Sequence, residues 1–494
     1  MSNKETDCSM LDSFEIRGEW WASDDVVSKF DGVLYCLDNK KVLKLDKRSS
    51  RKILNIANNF AGFTIHGVDR QKNKWSLFKC YPGNFNFLNG YSTLDITVNE
   101  IVKNAHLMSF DEIMVDKLGL SYSGLPASYL VQNLCKKYHN KNKSIILEWS
   151  PPKLFEVSLP ELNIVIDNTS NSIKNTKLEL KTYNLSLKKI NEFTGQFHTS
   201  LNFIFDKPQV YSIIEHLEYK LRNLLIILHG IPVATTSIQI HSYNNSKVLE
   251  IINNYNTELE SNLTIPLKLL KDENLLDEIV KNWFIVAEKF SLPIEIFCNL
   301  ENSQNIHTQL YFKMLVQILE SWHRVWLGDK DNIIDPNEYK TIKKWLDMTV
   351  NANPDINEDI KNRIKEQLNF ANRHQLNTRL VMLFNEIPEK FKKKLFPDID
   401  LAIKKIKDTR NYWTHLDSTS QSKSMSLNET TFANYALKLI FQILVLKELG
   451  IPEELIVDRI YNETPIFSNS QYFKMLSYDN PFNKKSENKP EIFT

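Results

Sequence analysis

Lys404-Lys405-Ile406-Lys407-Asp408-Thr409-Arg410-Asn411-Tyr412-Trp413-Thr414-His415 has a helical period and two chemically different faces. At about 100° per residue, with Arg410 at 0°, Thr414 falls near 40°, Lys407 near 60°, Asn411 near 100°, Lys404 near 120° and His415 near 140°. Ala402, Ile406, Thr409, Trp413 and Leu416 fall between about 240° and 320°. The second arc is expected in a core. The first gathers Arg, Asn, His and two Lys, a surface suited to phosphate. Its histidine is the side-chain type that titrates nearest neutrality.

The same period extends outward over the C-terminal part of the chain. Tyr311, Leu315, Ile318, Leu319, Trp322 and Trp326 form one stripe, and helices are predicted over 336–350, 356–370, 376–384, 401–416 and 431–449, the last stopped by Gly450-Ile451-Pro452. Short connections between them predict an antiparallel bundle. Near 298–306 the sequence turns polar, and before it the period is two. Residues 33–37 and 41–45 read as a hairpin, with further strands over 63–66, 75–80, 93–98, 112–115, 144–149, 177–187, 200–205 and 236–241. One helix interrupts them at 209–228, stopped by Gly230 and Pro232. The expected fold class is a multidomain α+β protein. A sandwich-like or barrel-like β-rich region over 12–300 precedes an all-α bundle over 303–465, and the polar tail 479–494 is expected to fray.

The chain of 494 residues carries 61 Lys+Arg against 60 Asp+Glu, a formal net charge of +1, so it does not coat nucleic acid by bulk charge; a nucleic-acid site has to be local. No apolar run approaches the roughly 18–20 residues of a membrane helix, and residues 1–17 lack the apolar block of a signal peptide. Cys8, Cys36, Cys80, Cys135 and Cys298 are scattered and never spaced CxxC, which reads as free thiols rather than a disulfide frame or zinc site. The expectation is a soluble cytoplasmic protein with no membrane partner, cofactor or metal. P-loop, dinucleotide-binding, zincin and nucleophile-elbow motifs are missing.

Arg410-Asn411-Tyr412-Trp413-Thr414-His415 resembles the Arg-(polar)-x-x-x-His signature of HEPN domains, and its Arg-Asn opening is typical of their ribonuclease members. Gln317-Ile318-Leu319-Glu320-Ser321-Trp322-His323-Arg324 looks like the Leu-Glu-x-(aromatic)-His segment of the ApeA-type HEPN subgroup, and Leu376-Asn377-Thr378-Arg379-Leu380 fits its middle helix. In the first half, Gly18-Glu19-Trp20-Trp21 with Gly32-Val33-Leu34-Tyr35, and later His229-Gly230-Ile231-Pro232-Val233, resemble landmarks of the ApeA N-terminal domain. The matches run in the family's order over nearly the whole chain. The resemblance implies a bacterial anti-phage (abortive-infection) protein whose HEPN domain is a ribonuclease.

It also implies metal-independent RNA cleavage. The 2′-OH attacks its own phosphate and leaves a 2′,3′-cyclic phosphate and a 5′-OH, a step whose nucleophile is already in place. In that scheme His415 moves protons, Arg410 holds the scissile phosphate, and Asn411 orients phosphate or histidine. Lys404, Lys407, Thr414 and His323 are the candidate RNA contacts. The expected partners are RNA, with tRNA one candidate, a second copy or more joined through the HEPN domain, and a phage-derived trigger bound by the N-terminal region.

Several residues keep two readings. Glu320 either orients Arg410 or pairs with Lys313 or Arg324 on its own helix. His323 either meets RNA or packs beside Trp322 and Trp326. Lys392-Lys393-Lys394 is a solvated run or a phosphate contact. Residues 418–426 read as a flexible connector, and Trp20 and Trp21 as packing residues. Arg222 and His229 bracket an apolar run and read as structural. The alternative for the whole protein is a catalytically silent HEPN module that binds RNA or a partner.

Overall fold

The computed structural model describes residues 14–37, 40–46, 62–88, 91–123, 134–139, 144–149, 155–166, 169–187, 195–230, 232–242, 247–252, 273–303, 305–416, 421–462 and 480–482. The chain divides into two compact units, Met1–Phe284 and Ile285–Thr494. The first is β-rich and the second helical, the α+β organisation expected from the change of period.

In the first unit, β1 (Phe14–Ala22), β2 (Phe30–Leu37), β3 (Lys40–Asp46), β4 (Phe63–Asp69), β5 (Lys74–Leu88) and β6 (Tyr91–Lys103) close into a six-stranded antiparallel barrel in the order β1-β2-β3-β6-β5-β4. Alternation puts every second side chain inside: Leu43 and Leu45, then Leu94, Ile96 and Val98, are buried in one cluster. Trp20 crosses this interior and donates its indole N–H to the Gly32 carbonyl at 3.2 Å. Gly67 makes room for it, since a Cβ there would lie 2.2 Å from the Trp20 ring. Both Trp20 and Trp21 are buried, as their packing reading requires.

The remaining strands are β7 (Met114–Tyr122), β8 (Leu134–His139), β9 (Ser144–Trp149), β10 (Phe155–Ser158), β11 (Leu162–Ile166), β12 (Thr169–Ile173), β13 (Lys177–Leu187), β14 (Gly195–Val210), β15 (Thr235–Ser242) and β16 (Leu249–Ile252). From the end of β6 an open sheet continues through β16, β15, β7, β14, β13 and β10. At the branch, β3 gives way to β16 along β6. There the buried Lys41 donates to the carbonyls of Asn99 at 2.9 Å and Ile252 at 2.6 Å. It satisfies acceptors that the change of partner would leave unpaired, and burial lowers its pKa to about 8. Helix α1 (Tyr211–His229) packs on β7 and β14 and ends at Gly230, which takes the left-handed conformation (φ 68°) that glycine adopts readily.

Helix begins earlier than the polar run suggested: α2 (Glu273–Lys289) and α3 (Ser291–Asn302) precede it. Ile279, Trp283, Val286 and Phe290 are spaced three and four apart and buried. Pro293 masks the helical pattern, yet it sits in the first turn of α3, where proline is tolerated. The helical unit continues with α4 (Thr308–Leu327), α5 (Pro336–Ala352), α6 (Glu358–Leu368), α7 (Leu376–Asn385), α8 (Glu389–Leu395), α9 (Ile399–His415), α10 (Leu427–Glu448) and α11 (Glu453–Asn462). The central helix α10 is buried on nearly all faces. Trp322 of α4 stacks on Phe290 (centroids 3.8 Å apart) and meets the ring of Phe441 of α10 edge-on. The short helices α8 and α11 were not anticipated. Of the tail expected to fray, Asn480 donates to the Lys394 and Leu395 carbonyls and Phe482 is buried against Phe396 and Phe432, whereas 483–494 lie outside the described residues. Among the described residues, no helix is long and apolar enough to cross a membrane.

Candidate functional site

Helix α9 starts at Asp398, whose carboxylate accepts from the Leu401 N–H, and ends where Leu416 turns left-handed (φ 52°). Ala402, Ile403, Ile406 and Thr409 are its buried residues. Ile403 lies near 20° on the wheel, so the core arc is rotated toward Arg410 from its expected position. Leu416 has left the helix and is 67% exposed, and Trp413 is only half-buried. Arg410 therefore sits at the margin of the core, facing α4, rather than in the middle of the polar face. The Thr409 hydroxyl accepts from the Met425 N–H at 2.8 Å and fixes the start of α10 beside it.

At that margin Arg410 donates from Nη2 to Oε2 of Glu320 at 3.2 Å and from Nη1 to Oδ1 of Asn411 at 3.3 Å. Of the two pairings open to Glu320, the structure contains the one with Arg410. The Glu320 side chain is 13% exposed and that of Arg410 31%, so the carboxylate lies behind the guanidinium, which still reaches solvent. Arginine has five N–H donors, and these two bonds leave the others for an anion. Thr414 donates its hydroxyl to the Arg410 carbonyl at 2.8 Å. His415, the last helical residue, is exposed and makes no hydrogen bond among the described residues. Lys404 is exposed, and Lys407 is half-exposed with the Asp408 carboxylate 4.0 Å away. Lys405 points elsewhere and pairs with Glu429. The structure thus brings Arg410, Asn411 and Glu320 into contact and leaves Lys404, Lys407, Thr414 and His415 on the same helix, open to solvent.

His323 is not brought to this surface. It is fully buried, and its Nδ1 accepts from Nη1 of Arg379 at 3.0 Å while Nε2 faces Met382 Sδ at 3.4 Å. Arg379 is buried as well. It is 2.7 Å from Asp331 Oδ1, donates to Asp331 Oδ2 at 3.0 Å, and donates from Nε to the His374 carbonyl at 2.8 Å. Burial, with the Arg379 charge beside it, lowers the His323 pKa to about 4, so the ring is neutral and can accept. This network was not read from the sequence. Its signal was the Asn-Thr-Arg of α7, noted there only as a helix landmark.

Lys392 bonds Glu389 on its own helix at 2.8 Å, the local pairing of a surface charge run. Arg222 lies 3.7 Å from Glu218 on α1. Residues 418–420 of the expected connector, Cys8, and the side chains of Cys135 and His229 lie outside what is described. Cys36, Cys80 and Cys298 are in no disulfide. Among the described residues no group of three His, Cys, Asp or Glu is placed to hold a metal ion.

With this geometry in view, the comparisons assign both units. The ApeA N-terminal domain 1 model matches residues 15–283, more than half of the chain. The chain belongs to the ApeA family. An Apea-like HEPN model matches residues 314–455, which include Glu320, His323, Arg379 and the whole 404–415 stretch. No curated protein and no solved structure gives a match. For this ApeA-family chain, HEPN membership suggests an RNA substrate, since such domains are typically ribonucleases.

Proposed function

We propose that the exposed end of α9 is a metal-independent endoribonuclease site acting in anti-phage defence. The observation that carries this reading is Arg410 held at the core margin by Glu320 and Asn411 with donors left over for an anion, and an exposed histidine five residues further along the same helix. Arg410 binds the scissile phosphate and offsets the charge that grows as the 2′-OH attacks. His415 transfers the proton at the 2′-OH or at the departing 5′-oxygen, and the products are a 2′,3′-cyclic phosphate and a 5′-OH. Asn411 and Glu320 are positioning residues for Arg410. Lys404, Lys407 and Thr414 meet the flanking backbone, and pairing of two copies through the HEPN domain doubles this local basic surface. Buried His323 has no part in RNA contact in this scheme. A trigger bound by the β-rich unit releases a restrained enzyme.

The test is cleavage of total bacterial RNA by the purified protein in EDTA, with and without a lysate of phage-infected cells as the trigger source, beside His415→Ala. Cleavage leaving cyclic phosphates, lowered about 10²–10⁴-fold in the variant, is the expected result. RNA binding without cleavage in either condition, unchanged by the substitution, would leave the silent RNA-binding module.

A further inference from the structure

We propose that Tyr412 and Trp413 form a platform on which a base beside the scissile phosphate stacks, so that the RNA is selected through the flat face of that base. The proposal rests on the ribonuclease reading above, whose groups all address the backbone. Arg410 takes the scissile phosphate, Lys404, Lys407 and Thr414 the flanking backbone, and His415 the 2′-OH or the 5′-oxygen. None of them reads a base, and backbone contacts position a nucleic acid without selecting it.

The end of α9 supplies the juxtaposition. Residues three apart on a helix are surface neighbours, with Cβ atoms about 5–6 Å apart. Trp413 follows Arg410 by three residues and Tyr412 precedes His415 by three. One ring therefore flanks the group that holds the phosphate, and the other flanks the group that moves the proton. With Arg410 at 0°, Trp413 lies near 300° and continues the arc of Ala402, Ile406 and Thr409. The buried residues of α9 nevertheless end at Thr409, about one turn earlier, and Tyr412 and Trp413 are both only half-buried. The two rings meet edge-on, with centroids 5.0 Å apart and planes at 64°. Such a contact covers at most one face of one ring, so π-surface is left for a third ring, and it orders both side chains before a base arrives.

The neighbours decide which occupant fits. A nucleotide presents an anion and a flat ring together, which matches the spare donors of Arg410 and the aromatic faces at once. An apolar protein segment would match the rings alone and would desolvate the adjacent guanidinium without pairing it. Every base has a π-face, so stacking selects an unpaired base by its stacking strength rather than by its hydrogen-bonding edge.

The probe is a hexanucleotide with one 2-aminopurine among five abasic tetrahydrofuran residues, its one sugar 2′-O-methylated so that nothing can be cleaved. It is titrated into the full-length protein and followed by 2-aminopurine fluorescence, which is quenched on stacking. Saturable binding with quenching is expected, and an all-abasic hexamer should compete at least tenfold more weakly. Trp413→Leu, which keeps apolar bulk and removes the aromatic face, should weaken binding about tenfold and relieve the quenching, with Tyr412→Leu acting in the same direction. Trp413→Phe should restore most of both, and the Leu and Phe variants should unfold at the same temperature. Absence of binding at about 1 mM probe, equal competition by the all-abasic hexamer, or equal loss in the Leu and Phe variants would each overturn the proposal. So would a 2-aminopurine mononucleotide that binds as tightly as the hexamer, which would make the platform a free-nucleotide site. A lower oligomeric state in Trp413→Leu by sedimentation, with base-independent binding, would make the rings a contact between copies. Cleavage of total RNA is measured separately: a protein that stacks the probe but cleaves nothing refutes the ribonuclease reading and keeps the platform, whereas one that cleaves RNA but binds the abasic hexamer equally well refutes the platform alone.

Discussion

Helix α4 holds one arginine at the surface through Glu320 and another in the core through His323, one helical turn further along. Arg410 makes two side-chain hydrogen bonds and keeps 31% of its side chain exposed, whereas Arg379, 2% exposed, directs Nε, Nη1 and Nη2 to His374, His323 and Asp331. Both lie in stretches matched by the same family model. Residue type alone therefore does not separate a structural arginine from one available to a ligand; the number of donors left over does. A buried guanidinium with every nitrogen engaged ties α7 to α4 and to the turn after it. A marginal one with donors to spare can take a phosphate.

The largest effect expected from this contrast is on stability. Arg379→Ala leaves Asp331 without its partner in a buried site and should cost about 3–5 kcal/mol, read as a lowered urea midpoint. Arg410→Ala also leaves a carboxylate without its partner, but the guanidinium it removes is 31% exposed and engages two bonds, so the loss should be smaller, about 1–3 kcal/mol, while cleavage is abolished if the proposed function holds. Equal losses of stability at the two positions would break the comparison.

Next comes the positioning of Arg410. Glu320→Gln keeps the shape of the side chain and removes the charge behind the guanidinium, so cleavage should fall about tenfold, or ~1.4 kcal/mol, with the unfolding midpoint unchanged. A double-mutant cycle distinguishes positioning from a general structural role. Added to Arg410→Ala, Glu320→Gln should do nothing further, because the group through which it acts is gone. Additive losses would give Glu320 a role of its own.

Much of this was legible beforehand, for identifiable reasons. Alternation at Leu43–Leu45 and Leu94–Val98, and the three-and-four spacing in α4 and α9, report burial directly, so strands, helices and the polar face of α9 followed from period. Barrel closure did not, because it depends on β6 pairing with β3, β5 and β16 in turn, a choice among long-range partners that no local pattern encodes. In the site, a wheel drawn on apolar residues alone placed Leu416 in the core. The helix ends one residue earlier, and Ile403, near 20° on the wheel, is buried instead, so the core arc reaches the side where Arg410 meets Glu320. For His323 the structure contains the packing reading, with the ring edge-on to Trp326, but a histidine beside two tryptophans carries no mark of the arginine that reaches it from another helix.

The smallest effect tests the buried half of the comparison by pH. His323 has a folded-state pKa of about 4 against an ordinary value near 6.5. Between those values the unfolded chain binds the proton more tightly, so stability should rise with pH across that window and no longer depend on this group above it. The charged groups that decide this are Arg379 and Asp331, with His374 beside the ring: Arg379 opposes protonation, Asp331 favours it, and burial adds to the first. Moving from pH 7 to pH 5.5 should therefore cost about 1 kcal/mol through this one side chain. His323→Gln, which can still accept from Arg379 but cannot titrate, should remove that increment from the difference between the two unfolding curves. An undiminished slope would mean that His323 is already free of Arg379, and the core arginine would then have a donor to spare, as Arg410 does.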